Sequence, residues 1–406
     1  MRGRTFGAFF LSAFLIRFFI AAMTGMFHRP IPTEMEAIGM NVATFGTYWL
    51  YGGPTAFSTP VFPLFLAGIN ALFGTGVADR IVEVTLACGM SALRCALVPL
   101  FALEAGLGRP VAMLAGCLGV VYIAARDTEM DGGLDGPYVA LALVALTWAA
   151  LRLWRDGNWQ KRTPWGFFLF CGFAGLLNPS VLAVIGGFLA AGAIACPAKA
   201  RRRYLQQAAL AVAGILVFLL PWAIRNDLSL GAPVLTRSNF GMEFWVSNGP
   251  ERTFDHPNNY GRFHPSQNPE EGARVQELGE VEYSRERFAE GIDWVRTHPG
   301  EYLRFTAERF LAWWFPPHPL AMLGPKLLLT LAAFFGLWRM FRRQAPAAWP
   351  ILITWIAFPD VYYLVQWSSR YRYPMEWQIL LCGCVGIYGL WEAVRRPGAR
   401  PVPADA

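Results

Sequence analysis

The amino-acid sequence predicts an all-α polytopic membrane protein: a bundle of about ten transmembrane helices, with helices lying at the outer face and a small, mainly helical outer domain. Three observations lead there. The chain of 406 residues is 55% hydrophobic and only 16% charged, with a mean hydropathy of +0.34, more apolar than a soluble domain of that size needs. Several apolar runs approach or exceed the roughly 18 to 20 residues that span a hydrocarbon core, among them 6–27, 81–103, 205–224 and 375–394. The Lys and Arg residues lie in short clusters between those runs, which is the positive-inside pattern of a membrane protein.

The first run follows Arg2 and Arg4, is long, lacks a small-residue cleavage site and precedes further spans, so it reads as a retained helix. Basic clusters at Arg4, Arg109, 155–162, 199–203, 339–343 and 395–400 then thread the chain with both termini in the cytoplasm. The expected helices are near 6–27, 81–103, 109–125, 137–154, 164–178, 180–195, 205–224, 318–340, 346–366 and 374–394. Some are short for a full crossing. The organisation is an N-terminal transmembrane module over 1–224, an outer loop domain over 225–317, and C-terminal helices with a cytoplasmic tail over 318–406. By the same threading, positions near Asn258 face outward and positions near Asn158 face the cytoplasm.

Three segments are forced to the outer face: 28–80, 126–136 and 225–317. Within the first, 60–74 is apolar but too short to span comfortably and carries Pro63 and Asn70, which suits an interfacial or re-entrant helix. The long segment becomes amphipathic and helical from 278 to 315, where Trp294, Trp313 and Trp314 suit anchoring at the headgroup level.

The net charge of +7 does not point to nucleic acid, because the cations are divided among the connections. The seven cysteines lie in or beside apolar segments, which supports neither a disulfide framework nor a metal site; Cys382 and Cys384 read as helix packing. Arg17, Glu83 and Arg94 fall inside spans and read as partners within the bundle. No internal repeat is visible, which weakens a secondary-transporter reading.

Candidate chemistry collects in the outer segments. Thr33 can cap a helix continuing to Thr44, with Glu34 and Glu36 in its first turn, where acids either complement the helix dipole or supply a general base. The second outer loop packs Asp127, Glu129, Asp131 and Asp135 into one connection, suited to a base or to a divalent cation, Mg or Mn, with Glu34, Asp131 and Asp135 as possible ligands. Arginines on the outer face form a third group: Arg225 with Asn226, Arg237 with Asn239, and Arg370 with Arg372 among tyrosines. Their planar forks match phosphate, although snorkelling to headgroups would place arginines there too.

With these residues assembled, the chain resembles the GT-C glycosyltransferases, in particular the bacterial group that includes protein O-mannosyltransferases and lipid A aminoarabinose transferases. The resemblance is carried by Glu-Met-Glu-Ala-Ile at 34–38, Gly-Pro-Thr-Ala-Phe-Ser-Thr-Pro at 53–60, Leu-Asp-Gly-Pro-Tyr at 134–138 and Leu-Asn-Pro-Ser at 177–180. It continues through Pro-Trp-Ala-Ile-Arg-Asn at 221–226, Arg-Ser-Asn-Phe-Gly-Met-Glu-Phe-Trp at 237–245, His-Pro-Gly-Glu-Tyr at 298–302 and Arg-Tyr-Arg-Tyr-Pro at 370–374. It implies a GT-C-like bundle with Glu34 as catalytic base or site organiser and Asp135 assisting. Many relatives open the first outer loop with an Asp-Glu pair, whereas here the acids are Glu34 and Glu36, shifted along the helix.

The resemblance further implies inverting transfer of a sugar from a polyprenyl-phosphate donor to a lipid, glycan or protein acceptor, at the outer face of a bacterial cytoplasmic membrane. Arg370, Arg372 and Arg225 would then stabilise the departing phosphate, and Asn226, Arg237 and Asn239 would bind substrate. A flippase for lipid-linked sugars or a non-catalytic envelope scaffold are the rival readings; the first would need a polar path through the bundle, and Arg17, Glu83, Arg94 and Asp360 are too scattered to draw one.

Overall fold

Apolar helices dominate the chain because spanning segments must satisfy every backbone N–H and C=O internally. The computed structural model describes residues 3–28, 33–156, 164–317 and 320–395; Arg2, the predicted inner position Asn158, most of the 155–162 cluster and the tail after Arg395 lie outside them. Among the described residues, five helices are long and apolar enough to cross a membrane: Gly3–Met23, Val77–Glu104, Gly136–Arg155, Ala198–Leu230 and Ser369–Arg395. Val61–Phe73, Arg109–Val121, Trp165–Leu177 and Ser180–Ala195 are apolar but shorter. A helix of 13 residues such as Trp165–Leu177 is about 20 Å long, short of a hydrocarbon core of about 30 Å.

The helix Leu320–Arg342 runs along Glu376–Arg395 in the closest pairing of the bundle. Glycines permit it: a Cβ at Gly336 would strike the Cys382 carbonyl, and one at Gly386 the Ala332 carbonyl. Cys382 is buried in that seam beside Met340, and Cys384 is buried elsewhere on the same helix. A single span was expected over 346–366. The structure instead has Ala348–Ala357 and Asp360–Leu364, broken at Pro359, which has no N–H to donate to the preceding turn, while Asp360 Oδ1 accepts the N–H of Val361.

The outer segment 225–317 is more helical than its Asn, Pro and Gly content suggested. Helices Phe240–Ser247, His256–Phe263 and Pro269–Leu278 precede Glu280–Thr297 and Pro299–Trp314, the last two replacing one long amphipathic helix and separated at His298 before Pro299. Its small core of Met242, Val246, Val275 and Tyr283 closes on Phe57 of the first outer loop. Buried Glu280 clamps that contact, accepting from Thr55 Oγ1 at 2.6 Å, Ala56 N at 2.5 Å and Ser238 Oγ at 2.8 Å. Trp313 and Trp314 were expected to anchor among lipid headgroups, but both rings are buried among protein side chains. Trp313 is fully buried, stacked 5.4 Å from Tyr362, and Trp314 packs on Phe334 and Trp355, because the helix Pro299–Trp314 turns its aromatic end into the bundle.

Candidate functional site

The first outer helix, Glu34–Phe45, begins with a capping box: Thr33 Oγ1 accepts the N–H of Glu36 at 3.2 Å, and Glu36 Oε2 accepts the N–H of Thr33 at 2.6 Å. That local bond separates the two acids. Glu36 is 7% exposed and its other oxygen takes Arg80 Nη1 at 2.6 Å, so it is engaged on both sides. Glu34, two positions earlier, turns outward to receive the Tyr51 hydroxyl at 2.9 Å and lies 3.6 Å from His264 Nδ1. Tyr51 has φ +51° and Gly52 φ +83°, the pair of positive values that a two-residue hairpin between Trp49–Leu50 and Gly53–Pro54 demands. Glycine adopts that conformation freely and tyrosine does not, so backbone strain is spent at the residue that reaches Glu34.

The second outer loop divides its four acids among four surroundings. Asp127 is exposed beside Arg126. Glu129 is fully buried against Arg17 at 2.7 Å and Arg94 at 3.6 Å. Asp131 accepts Arg80 Nη2 at 2.9 Å, while Glu83 lies 3.5 Å from Nη1 of the same arginine. Asp135, just before the helix Gly136–Asp156, faces a cavity of about 330 Å³, where Asn178 Nδ2 donates to it at 3.1 Å.

Asn178, Ser180, Arg237, Asn239, Glu243, Tyr362, Arg370 and Tyr371 share that cavity with Asp135. Arg237 Nη2 is 3.9 Å from Asp135 Oδ2, beyond hydrogen-bond range, and its buried Nε has no partner. The guanidinium of Arg370 likewise makes no hydrogen bond or ion pair to the described residues and lies 5.9 Å from the Tyr371 ring. Two cations without hydrogen-bonded acceptors at one cavity are ready to receive an anion. Glu243 accepts from Gln366 Nε2 at 3.0 Å and Asn239 Nδ2 at 3.4 Å, and lies 4.0 Å from His264 Nε2. Burial raises its carboxyl above the ordinary range and Glu34 pushes the same way, while His264, Arg237 and Arg370 oppose the shift.

Of the residues singled out from sequence, Glu34, Asp135, Arg237, Asn239 and Arg370 therefore gather around one site. Glu36 and Asp131 do not; they share Arg80. Nor does Arg372, which is 2% exposed and donates to Glu376 Oε1 at 2.6 Å. Arg225 donates to the carbonyls of Thr55 and Tyr48 between the rings of Tyr48 and Trp222, and Asn226 Nδ2 bonds the Val234 carbonyl, so both brace the helix exit. Of the carboxylates proposed for Mg or Mn, Asp131 is held on Arg80, Asp135 accepts from Asn178 Nδ2 and Glu34 accepts the Tyr51 hydroxyl.

His264 and Glu243 escaped the sequence reading as site residues. Glu243 lies inside the Arg-Ser-Asn-Phe-Gly-Met-Glu stretch, six residues after Arg237, which was the available signal; His264 sits in a loop whose fold nothing local announces. A run of rings joins it to the cavity wall. Tyr260 stacks on His264 at 4.3 Å and on His256 at 4.8 Å, and His256 meets Tyr371 edge-on at 5.7 Å. Burial, with Arg370 adding to it, pushes His256 down to about 3, so this imidazole stays neutral; burial and Glu34 push Tyr260 up to about 12. In comparisons with known proteins, no family model, no curated protein and no solved structure matches the chain.

Proposed function

We propose that this chain is an integral membrane glycosyltransferase of GT-C type. It moves a sugar from a polyprenyl-phosphate donor to an acceptor at the outer face of the cytoplasmic membrane, with inversion at the anomeric carbon. The single observation that carries the reading is the cavity in which Arg237 and Arg370 stand without hydrogen-bonded partners beside Asp135 and Glu243, with Glu34 adjoining through His264. An anionic leaving group and a proton-bearing nucleophile need those two kinds of residue side by side. The guanidinium pair takes the phosphate. Glu34 is the base, and the Tyr51 hydroxyl orients its carboxylate.

In this reading the five long helices, Arg109–Val121, Trp165–Leu177, Ser180–Ala195, Leu320–Arg342 and the broken pair Ala348–Ala357 with Asp360–Leu364 together make about ten crossings, and the outer domain covers the site from the exterior. Flipping of a lipid-linked sugar is favoured less, because Arg17, Glu83 and Arg94 are engaged with Glu129 and Arg80 and leave no open polar path.

Purified protein supplied with polyprenyl-phosphate sugars tests the activity, and mass spectrometry of envelope lipids and glycans from cells lacking the protein identifies sugar and acceptor. Glu34→Gln should lower transfer by a factor on the order of 100 with normal membrane insertion. Near wild-type transfer in that variant would remove Glu34 from the mechanism. Orientation is read separately: a cysteine at exposed position 258, in a background cleared of native cysteines, should react with an impermeant reagent in intact cells.

A further inference from the structure

Between Glu34 and Glu243 stands one imidazole and no cation within ion-pair distance among the described residues. His264 is 1% exposed, with Nδ1 3.6 Å from Glu34 Oε1 and Nε2 4.0 Å from Glu243 Oε1. The backbone N–H of Ser266 donates to Nδ1 at 3.2 Å, which leaves the neutral ring its proton on Nε2, directed at Glu243. Ser266 Oγ lies 2.8 Å from Nδ1 and bonds the Tyr260 hydroxyl at 2.6 Å. Two carboxyls flanking a single ring share protons rather than both ionising freely. Glu243 alone of the two carboxyls also lines the cavity with Arg237 and Arg370.

We propose that His264 and Glu243 complete the proton path of the transfer reaction: His264 carries toward Glu243 the proton that Glu34 removes from the acceptor, and Glu243 delivers a proton to the oxygen of the departing phosphate. The assignment rests on the transferase reading above. In the step, the acceptor O–H bond breaks and its proton moves to Glu34, while the acceptor oxygen bonds the anomeric carbon. The bond from that carbon to the phosphate oxygen breaks, its electron pair stays on the oxygen, and the Glu243 proton is added there. Glu34 is left protonated and Glu243 ionised. His264 then takes a proton at Nδ1 and releases the one on Nε2 to Glu243; the starting tautomer returns when Nδ1 gives its proton to solvent through the Ser266 and Tyr260 hydroxyls and Nε2 takes one from solvent through Glu243 at the cavity. Every proton is accounted for, and no co-reactant is required.

The groups around Glu243 act in the same direction as this role. Burial disfavours its charge most and Glu34 adds to it, while His264, Arg237 and Arg370 moderate the effect. Glu243 is thereby disposed to act as the acid that the departing oxygen needs.

The test uses the full-length protein in detergent, with a panel of undecaprenyl-phosphate hexoses, pentoses and aminopentoses, counting hydrolysis to water as turnover. Glu243→Gln should lower kcat about 100-fold with KM little changed, and remove a protonated-carboxyl infrared band present in the wild type at neutral pH. His264→Gln, which keeps the volume, should be similarly slow and should lose one limb of the pH–rate profile. His264→Ala should be rescued by added imidazoles in proportion to their basicity, a response that a purely architectural histidine does not give. Wild-type kcat in Glu243→Gln, absence of the carboxyl band, or a His264→Ala variant deaf to imidazole would each overturn the proton path while leaving the transferase standing. If the wild type turns over no donor on the panel, the transferase reading falls and the proton path falls with it.

Discussion

Around Arg80, three carboxylates from separate elements gather on one guanidinium: Glu36 of the first outer helix, Asp131 of the second outer loop, and Glu83 one turn along its own helix. Its Nε also reaches the Met26 carbonyl at 3.0 Å. Elsewhere, Arg237 and Arg370 face Asp135 and Glu243 over a cavity with no hydrogen bond between the charges. Both regions use arginines against acids, and both draw them from several separate elements. What separates them is saturation. The Arg80 cluster spends its charge on fixing the loops; the cavity keeps its charge uncommitted, and uncommitted charge held in place by the first cluster is what a ligand can use.

The largest way to break that contrast is Arg80→Met. Removing one partner from a buried ionic cluster leaves Glu36 and Asp131 uncompensated and should cost about 3 to 5 kcal/mol, seen as a collapse in yield and in thermal unfolding of detergent-solubilised protein. A wild-type melting curve would show that the loops are held by something else.

Arg237→Lys and Arg370→Lys should do the reverse. Each keeps its charge and loses the fork, so donor use should fall roughly tenfold, about 1.4 kcal/mol, with the melting temperature unchanged. Unaltered donor kinetics in both would return these arginines to headgroup anchoring. Arg372→Lys sharpens the line between the regions, because Arg372 is bound to Glu376 and Thr330 and does not line the cavity. It should lose about 1 to 2 kcal/mol of stability and leave donor kinetics alone; a donor defect without destabilisation would put it back in the site.

The fourth is a pH effect. Burial raises the carboxyls of Glu243 and Glu280 in the folded protein, so the native state keeps protons that the unfolded chain releases first. Stability from these groups is complete below the ordinary glutamate range and is lost as pH rises through their raised values. Glu243→Gln should therefore flatten that decline and stabilise the protein at neutral pH by about 0.5 to 1 kcal/mol while it impairs transfer; an unchanged slope would deny that Glu243 holds its proton. The smallest effect belongs to the exposed pair Arg126 and Asp127, whose removal should change stability by less than about 0.5 kcal/mol.

The membrane architecture was legible in the sequence because hydrophobicity and charge are summed over whole segments. The runs at 137–154, 164–178 and 180–195 became Gly136–Asp156, Trp165–Leu177 and Ser180–Ala195. The short apolar segment at 60–74 became Val61–Phe73, and Thr33 caps its helix as expected. Where a rule of local chemistry applied, the reading was close. It was weakest over 225–278, where polar composition suggested irregular chain and tertiary packing onto Phe57 and Tyr283 supplied helices.

Residue type and segment position were enough to nominate Glu34, Asp135, Arg237, Asn239 and Arg370. They could not separate these from Glu36, Asp131, Arg225, Asn226 and Arg372, which have the same chemistry and the same address in the loops. The choice depends on partners, some far away in the chain (Arg80 for Glu36 and Asp131, the Tyr48 and Thr55 carbonyls for Arg225) and some near (the Val234 carbonyl for Asn226, Glu376 for Arg372), whose geometry the loop position does not reveal. His264 is the extreme case, brought between Glu34 and Glu243 only by the packing of the outer domain. Hydrophobic segments announce themselves because burial is additive along the chain, whereas whether a charge is spent or free depends on geometry within a few ångströms, and only the tertiary structure decides that.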